Sequence, residues 1–592
     1  MVESRRWRTQ AQRLTSENAR PATHRILLVL YCLLLYLPAM FRGFINFDET
    51  RYAEIVREML ENGDWIVPHL NYVPYFMKPP LVYWLAAGLA KAFGFHPFAM
   101  RLAPFLAAIL TVLATYELAT ALGSRRTGLV GAALLATCGL FYILAVALVT
   151  DMIFSAFLVG AWLCFWRFYE SAAQKKRWIA LFWLCAALSC LTKGPLGLAL
   201  LFFTIGCFVA LRREWSYALK VRPLLGLVIL AAVNLPWIIL IGRRDPRFVE
   251  FFYVQISLAG VHSAALMHKE PFYYYLTQFP LGLFPWTLPA IVALLVSIRD
   301  FLRQRRNVAP AGLVFLVSVF LGGLVFLSIP AAKLVTYILP IFPAAALLAA
   351  HSLRQVRNET PWVRWLVPAQ TGVLLASLLV GLLFFEEGPH VSAVVSSPAF
   401  PMAVAVATFA VLGAVLASVI SLRGGFHAGL LALGITVSLA FPSGLILLPR
   451  LATWRTSERL CASFRNELAA ADLVVTSDSD DFSVPLALRR RVAVVGQANE
   501  LGMGLFVKGE PDRPIPDDPF HLKARHLTSP YLLSADGLAR VWATTPTVCL
   551  FTNDKFLPDL QARCPNVWVL SRTADTILAT NRNPHSRSGS AQ

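Results

Sequence analysis

The sequence predicts an α-helical polytopic membrane protein with about thirteen transmembrane helices and a small C-terminal α/β domain outside the membrane. Three observations carry that expectation. Of 592 residues, 57% are hydrophobic and 15% charged, with a mean hydropathy of +0.60, whereas soluble domains are roughly a quarter charged. Long apolar runs recur up to about residue 450. Beyond Arg450 the texture changes to short β-branched runs alternating with helical spacing.

The chain begins with a basic stretch, RRWRTQAQR, ahead of an apolar run from Ile26 to Phe41. No small-residue cleavage site follows, so the run reads as an uncleaved first span with residues 1–24 as a cytoplasmic tail; a signal peptide is the competing reading. Apolar segments then recur near 80–94, 101–122, 127–148, 152–169, 178–192, 195–211, 223–241, 276–298, 310–329, 333–350, 363–385, 401–421 and 427–447. Segment 80–94 is the shortest, and a crossing takes about 20 residues, so it is expected to lie in the interface. Charge supports that choice. If 80–94 does not cross, Arg125 and Arg126, Lys175 to Arg177, Arg212 and Arg213, Arg303 to Arg306, Arg354 and Arg357, and Arg423 all fall on the side of the N-terminal tail, the positive-inside pattern.

The same parity puts loops 42–100 and 242–275, and everything after residue 450, on the far, exported side of the membrane. Residues 25–450 form the membrane domain and 451–580 the exported one. In that second region ADLVVTSDSDD, RRRVAVVGQ, TVCLFTND and NVWVLSRT read as strands, with SERLCASFRNELAA and DKFLPDLQARC as helices between them, so a partly parallel sheet is expected. The tail 581–592 reads as disordered. Six of nine cysteines lie in apolar spans, and the other three, Cys461, Cys549 and Cys564, permit at most one internal disulfide. A net charge of +19 is accounted for by cytoplasmic arginines and anionic lipid, so no nucleic-acid partner is expected.

Acidic residues are scarce, which makes FINFDETRYAEI (residues 44–55) conspicuous directly after the first span. Ionisable groups at span ends are expensive, and those that remain usually face a cavity or a partner. Here Asp48, Glu49 and Asp151 are acidic and Lys78, Lys193, His268, Lys269 and Lys333 basic, all on the far side. Lysines at a membrane surface suit a lipid phosphate head group. Carboxylates beside them suit sugar hydroxyls, general-base work or a metal. The combination suggests glycosyl transfer from a lipid-phosphate sugar. Structural roles compete at each position: helix capping for Asp48, Glu49 and Asp151, and snorkelling anchors for Lys78, Lys193 and Lys333.

FDETRYAEIVREML, YFMKPPLVYWL, LVTDMIF, LTKGPLG, HKEPFYYYL with LFPW behind it, and AAKLVTYILP, in this order, resemble the bacterial aminoarabinose transferase group. These are relatives of the protein O-mannosyltransferases in the GT-C class of integral-membrane glycosyltransferases. The likeness is close over residues 25 to about 350. It implies an inverting enzyme that takes a sugar from a polyprenyl (undecaprenyl) phosphate donor and passes it to an envelope acceptor such as lipid A, without a nucleotide sugar or cofactor. It also implies roles: Asp48 catalytic with Glu49 beside it, Asp151 the acid opening a later span, and Lys78 on the donor phosphate. His268 and Lys269 match a basic pair in the large periplasmic loop, and Lys333 with Tyr337 lies near the donor pocket. Lys193 joins the donor-binding set on its charge and place.

Two departures matter. Met77 stands where relatives often carry an acid that in some takes part in a metal site, so no metal is expected. Residues Gln255-Ile256-Ser257-Leu258 replace a histidine and an arginine–phenylalanine pair, which leaves the sugar open. A same-class transferase with a protein or other glycan acceptor is the alternative. A lipid-linked sugar transporter would show internal inverted repeats, and the sequence has none that we discern.

Overall fold

The computed structural model describes residues 21–44, 47–170, 175–244, 248, 269–303, 309–355, 361–383, 389–451, 457–477, 481–496 and 531–583. Among these, nine helices are long and apolar enough to cross a membrane, or up to eleven if each of two bent pairs counts as one span. Lys175–Lys193 and the 17-residue Leu196–Arg212 complete the thirteen expected segments. Helix α1 (Pro21–Met40) is followed by α2 (Phe47–Asn62), which opens with Asp48 and Glu49 in its first turn. A two-stranded hairpin, β1 (His69–Leu70) and β2 (Val73–Pro74), leads to α3 (Leu81–Phe93). At 13 residues α3 is about 20 Å long, too short for a hydrocarbon core of about 30 Å, as expected of an interfacial helix.

Helix α4 (Pro97–Ala121) starts where His96 accepts a hydrogen bond from the Ala99 amide with Pro97 at the first helical position, a strong start signal. Helices α5 (Thr150–Glu170) and α6 (Lys175–Lys193) form an antiparallel pair. TKGP ends α6: Gly194 takes φ 75° and donates its amide to the Cys190 carbonyl at 2.7 Å, a terminus that favours glycine. Asp151 thereby sits at a helix N-terminus and Lys193 at a C-terminus, the ends where helix dipoles favour each charge. Segments 127–148 and 276–298, each expected as one helix, are instead broken. Arg125–Ala136 and Gly139–Ala145 meet at 71°, and Tyr274–Gly282 and Thr287–Arg303 at 119°. Prolines at 280 and 285 bring about the second break. The breaks satisfy each other, because the Gly139 amide donates to the Phe284 carbonyl at 2.7 Å and the Trp286 indole to Thr137 Oγ1 at 3.0 Å. Irregular backbone at membrane depth requires such partners.

Beyond the last span a six-stranded sheet forms, made of β3 (Leu473–Thr476), β4 (Ala493–Val495), β5 (Leu532–Leu533), β6 (Val548–Thr552), β7 (Trp568–Arg572) and β8 (Ile577–Thr580). Its order is β5-β4-β3-β6-β8-β7, parallel from β5 to β6 and antiparallel beyond. The partly parallel sheet is as expected, while β5, β8 and the helix Ala535–Thr544 lie where no element was foreseen. All nine cysteines are free, and residues 584–592 of the tail fall outside the described chain.

Candidate active site

Helix α2 is fixed before its chemistry can matter. Glu49 is fully buried and takes Arg42 Nη1 at 2.8 Å, Arg101 Nε at 2.9 Å and Nη2 at 3.1 Å, and the Leu148 amide at 3.2 Å. The two guanidiniums also close the chain around it: Arg101 donates to the carbonyls of Met40 and Gly43, and Arg42 to that of Val146. Burial alone would raise the Glu49 pKa; Arg101 and then Arg42 more than reverse this and hold it at about 2. Expected among the catalytic carboxylates, Glu49 is corrected to a holding role, because every lone pair that could serve a substrate is engaged in a sealed ion-pair network. Asp48, one residue earlier, points the other way. Its side chain is 56% exposed and receives Arg51 Nη1 at 3.0 Å.

Asp151 and Lys193 meet at 2.5 Å with both side chains nearly enclosed. The Lys193 ammonium lies 4.4 Å from the centre of the Tyr337 ring and 5.4 Å from that of Phe154. Tyr52 lies between this pair and Asp48 in electrostatic terms: its phenol is buried and pushed above its ordinary value by burial first, then by the charges of Asp48 and Asp151. Lys333 is buried and donates to the Glu270 carbonyl at 2.9 Å, and burial shifts its ammonium below the ordinary lysine value. Backbone pairing of Lys269 with Ala332, and of the Glu270 amide with the Ala331 carbonyl at 3.1 Å, ties that strand of loop to the segment just before Tyr337. The side chain of Lys269 is exposed, and His268 lies outside the described residues.

Lys78 is half-buried three residues ahead of α3. Its neighbours Phe76 and Met77 pack in one apolar cluster with Leu191, two residues before Lys193, so the Lys78 segment lies against the end of α6. The Met77 thioether is a poor ligand for a hard cation and is spent on that apolar packing, and no three His, Cys, Asp or Glu residues group together among the described residues. The residues present do not fit a metal at this position.

The structure therefore brings Asp151, Lys193 and Tyr337 together, with Lys333 and Lys269 adjoining, while Asp48 stands near enough for its charge to act on Tyr52 as that of Asp151 does. Arg42, Arg101 and Tyr52 were not singled out in the sequence. Arg101 carried a signal that passed unused, a lone arginine at the head of an apolar run.

Residues 23–252 match the family model described as dolichyl-phosphate-mannose-protein mannosyltransferase. A relative from Erwinia tasmaniensis named undecaprenyl phosphate-alpha-4-amino-4-deoxy-L-arabinose arabinosyl transferase is 34% identical over 332 residues, 55% of this chain and 58% of its own length. One of the same name from Yersinia enterocolitica is 35% identical over 335 residues with the same coverage. The alignments thus span under two thirds of those relatives. The solved structure of ArnT from Cupriavidus metallidurans bound to undecaprenyl phosphate superposes with a TM-score of 0.77 at 22% identity, covering 95% of this chain and 99% of that one. The chain shares the fold of that structure. Its apo counterpart matches equally well, with a TM-score of 0.77, so the ArnT-like fold extends over the later spans and the C-terminal sheet, where sequence motifs are absent.

Two stability measurements follow from this geometry. Glu49→Gln leaves two buried guanidiniums without their counter-charge and is expected to cost about 3–5 kcal/mol, whereas Asp48→Asn, on an exposed helix start that tolerates either residue, should unfold near the wild-type temperature. Equal melting temperatures for the two variants in detergent would contradict the holding role. The second concerns Glu58, buried on α2, whose pKa is pushed up to about 9 by burial and then by the Glu54 carboxylate. Its raised value means that the folded chain keeps a proton which the unfolded chain releases above its ordinary 4.5, so stability is full below that pH and is lost as pH rises towards 9. Glu58→Gln should flatten the fall in melting temperature between pH 6 and 9, and an unchanged slope would refute the assignment.

Proposed function

We propose that this chain is an inverting glycosyltransferase that moves a sugar from a polyprenyl phosphate donor to an envelope acceptor such as lipid A at the periplasmic face of the inner membrane. One observation carries the reading: an exposed carboxylate, Asp48, shares its surroundings, through Tyr52, with an enclosed Asp151–Lys193 pair beneath Tyr337. The names of the curated relatives and the undecaprenyl phosphate in the ArnT structure support the choice of donor.

In this scheme the acceptor oxygen attacks the anomeric carbon from the face opposite the phosphate. The new carbon–oxygen bond forms as the bond to the polyprenyl phosphate breaks, which inverts the centre. Where the acceptor is a hydroxyl, Asp48 takes its proton. The departing phosphate carries away the electron pair, and Lys78, Lys193 and Lys333 neutralise it, at a boundary where scarce water strengthens each charge-assisted contact. The donor phosphate competes with Asp151 for Lys193, so Asp151 keeps that side chain aimed while the site is empty. No nucleotide and no metal enters this scheme. A protein acceptor is the second reading, favoured by the mannosyltransferase match over residues 23–252.

Orientation belongs to the same proposal. On α5, Asp151 and Arg167 are about 24 Å apart along the axis, and Arg167 joins Arg25 around Glu117. The first pole is the proposed periplasmic end and the second the cytoplasmic one. Reporter fusions at residue 460 should read periplasmic and those at residue 125 cytoplasmic; a cytoplasmic signal at 460 would separate the C-terminal sheet from the site's side of the membrane.

Activity tests the chemistry. Asp48→Asn should retain donor and turn over on the order of 10²–10⁴ times more slowly, while Lys78→Ala should weaken the donor phosphate contact by about 1.5–3 kcal/mol. Single-turnover transfer and donor binding on purified variants decide this, and wild-type turnover in Asp48→Asn would remove the base from the scheme. Mass spectrometry of lipid A, envelope glycans and envelope proteins from cells with and without the gene distinguishes the two acceptors.

A further inference from the structure

The C-terminal sheet is packed onto the helix that carries Asp48. At the tip of the β1–β2 hairpin, Asn71 and Tyr72 are consecutive left-handed residues, φ 53° and 60°. A two-residue hairpin turn of this kind normally places glycine second, and tyrosine there is strained. What holds it is long-range. Asn71 Nδ2 donates to the Val492 carbonyl at 2.8 Å and its Oδ1 accepts the Val492 amide at 2.9 Å, across 421 residues of sequence. The Tyr72 hydroxyl donates to the Arg489 carbonyl at 3.2 Å, and its amide to both Glu58 oxygens of α2 at 2.9 and 2.8 Å. Asn71 and Val492 are both buried, so the reciprocal pair acts as an extra rung beside β4, screened from competing water.

A second contact stands closer to the chemistry. Phe482 leads into the short helix Ser483–Leu488, which packs against α2. Its ring lies 5.7 Å from the guanidinium of Arg51, the partner of Asp48. Phe482, Val494 and Leu532 belong to the same continuous core as the membrane helices, apart from the sheet's own inner clusters. The hairpin gripped at Asn71 also runs straight into the Lys78 segment, so one unit holds both the carrier of the proposed base and the carrier of a proposed phosphate ligand.

We infer that the C-terminal sheet is a working wall of the active site, and that Phe482, through Arg51, and Asn71, through the hairpin, are positioning residues that hold Asp48 against the Lys78 segment. This deepens the transferase reading and rests on it. Small displacements of a reacting group cost rate far more than binding, and the loss is expected in turnover rather than in donor affinity.

The test uses the full-length chain in detergent or nanodiscs with a polyprenyl phosphate sugar as probe. Phe482→Leu, which keeps apolar bulk but removes the ring face, and Asn71→Gly, which keeps the left-handed turn but removes the clasp, should each lower kcat about tenfold or more with the donor KM within about twofold. Phe482→Trp, which restores a face for the guanidinium, should recover most of the loss. Wild-type kcat in both Phe482→Leu and Asn71→Gly overturns the inference, as does a loss that Phe482→Trp fails to recover. Hydrogen exchange on the wild-type chain in rising denaturant decides the case should the variants not fold. Segments 48–62 and 69–78 should lose protection together with β3 and β4 while α4 stays protected, and independent opening overturns the coupling. If the wild type transfers no sugar, the transferase reading fails while the exchange experiment still reports on the coupling.

Discussion

The Arg42–Glu49–Arg101 cluster is the constraint on which the arrangement turns. One carboxylate between two guanidiniums fixes the end of α1, the start of α2 and the first turns of α4, and it does so with side chains that water does not reach. A buried ion pair of this kind contributes little net stability relative to apolar packing. What it contributes is uniqueness: the peptide oxygens of residues 40, 42, 43 and 146 have one set of donors and one geometry. Because Glu49 is held inward, Asp48 on the preceding helical position is turned outward, which is how two adjacent acids come to meet opposite surroundings.

Which of the two acids is buried was beyond the sequence. FDET announces a helix start with two acids in its first turn, and nothing in the spacing says which faces the interior. The answer depends on Arg42 and Arg101, seven and 52 positions away, and on a third element at Val146 to Leu148. Most of the membrane fold was legible because hydropathy reports directly on the solvent each segment meets. The thirteen segments, the short interfacial α3 and a partly parallel terminal sheet were all expected. The breaks at 136–139 and 282–287 were not, since a window average does not notice where a helix turns aside. Strands of two to four residues, such as β5 and β8, are likewise too short to carry a period.

The lysines show a similar split. Lys193 was identifiable because TKGP ends a helix, and its partner Asp151 because LVTD opens one, yet their meeting at 2.5 Å is a product of tertiary packing. Lys333 was expected from the same reasoning but spends one donor on a backbone carbonyl. The docking of the C-terminal sheet was invisible from composition, because it runs through one asparagine amide, one aromatic ring and a few apolar side chains drawn from separate short elements.

The paired breaks in the two bent spans carry a consequence for assembly. Gly139 offers an amide that its own helix does not use, and Phe284 a carbonyl in the same condition. In a chain made from the N-terminus, the first enters the bilayer well over a hundred residues before the second exists. Neither span is complete in hydrocarbon alone. The earlier one must wait, shielded by neighbours already inserted or by the insertion machinery, until its counterpart arrives. The two bent spans are therefore completed as a pair, and the backbone donor of the first is met within the protein only when the 274–303 hairpin turns in.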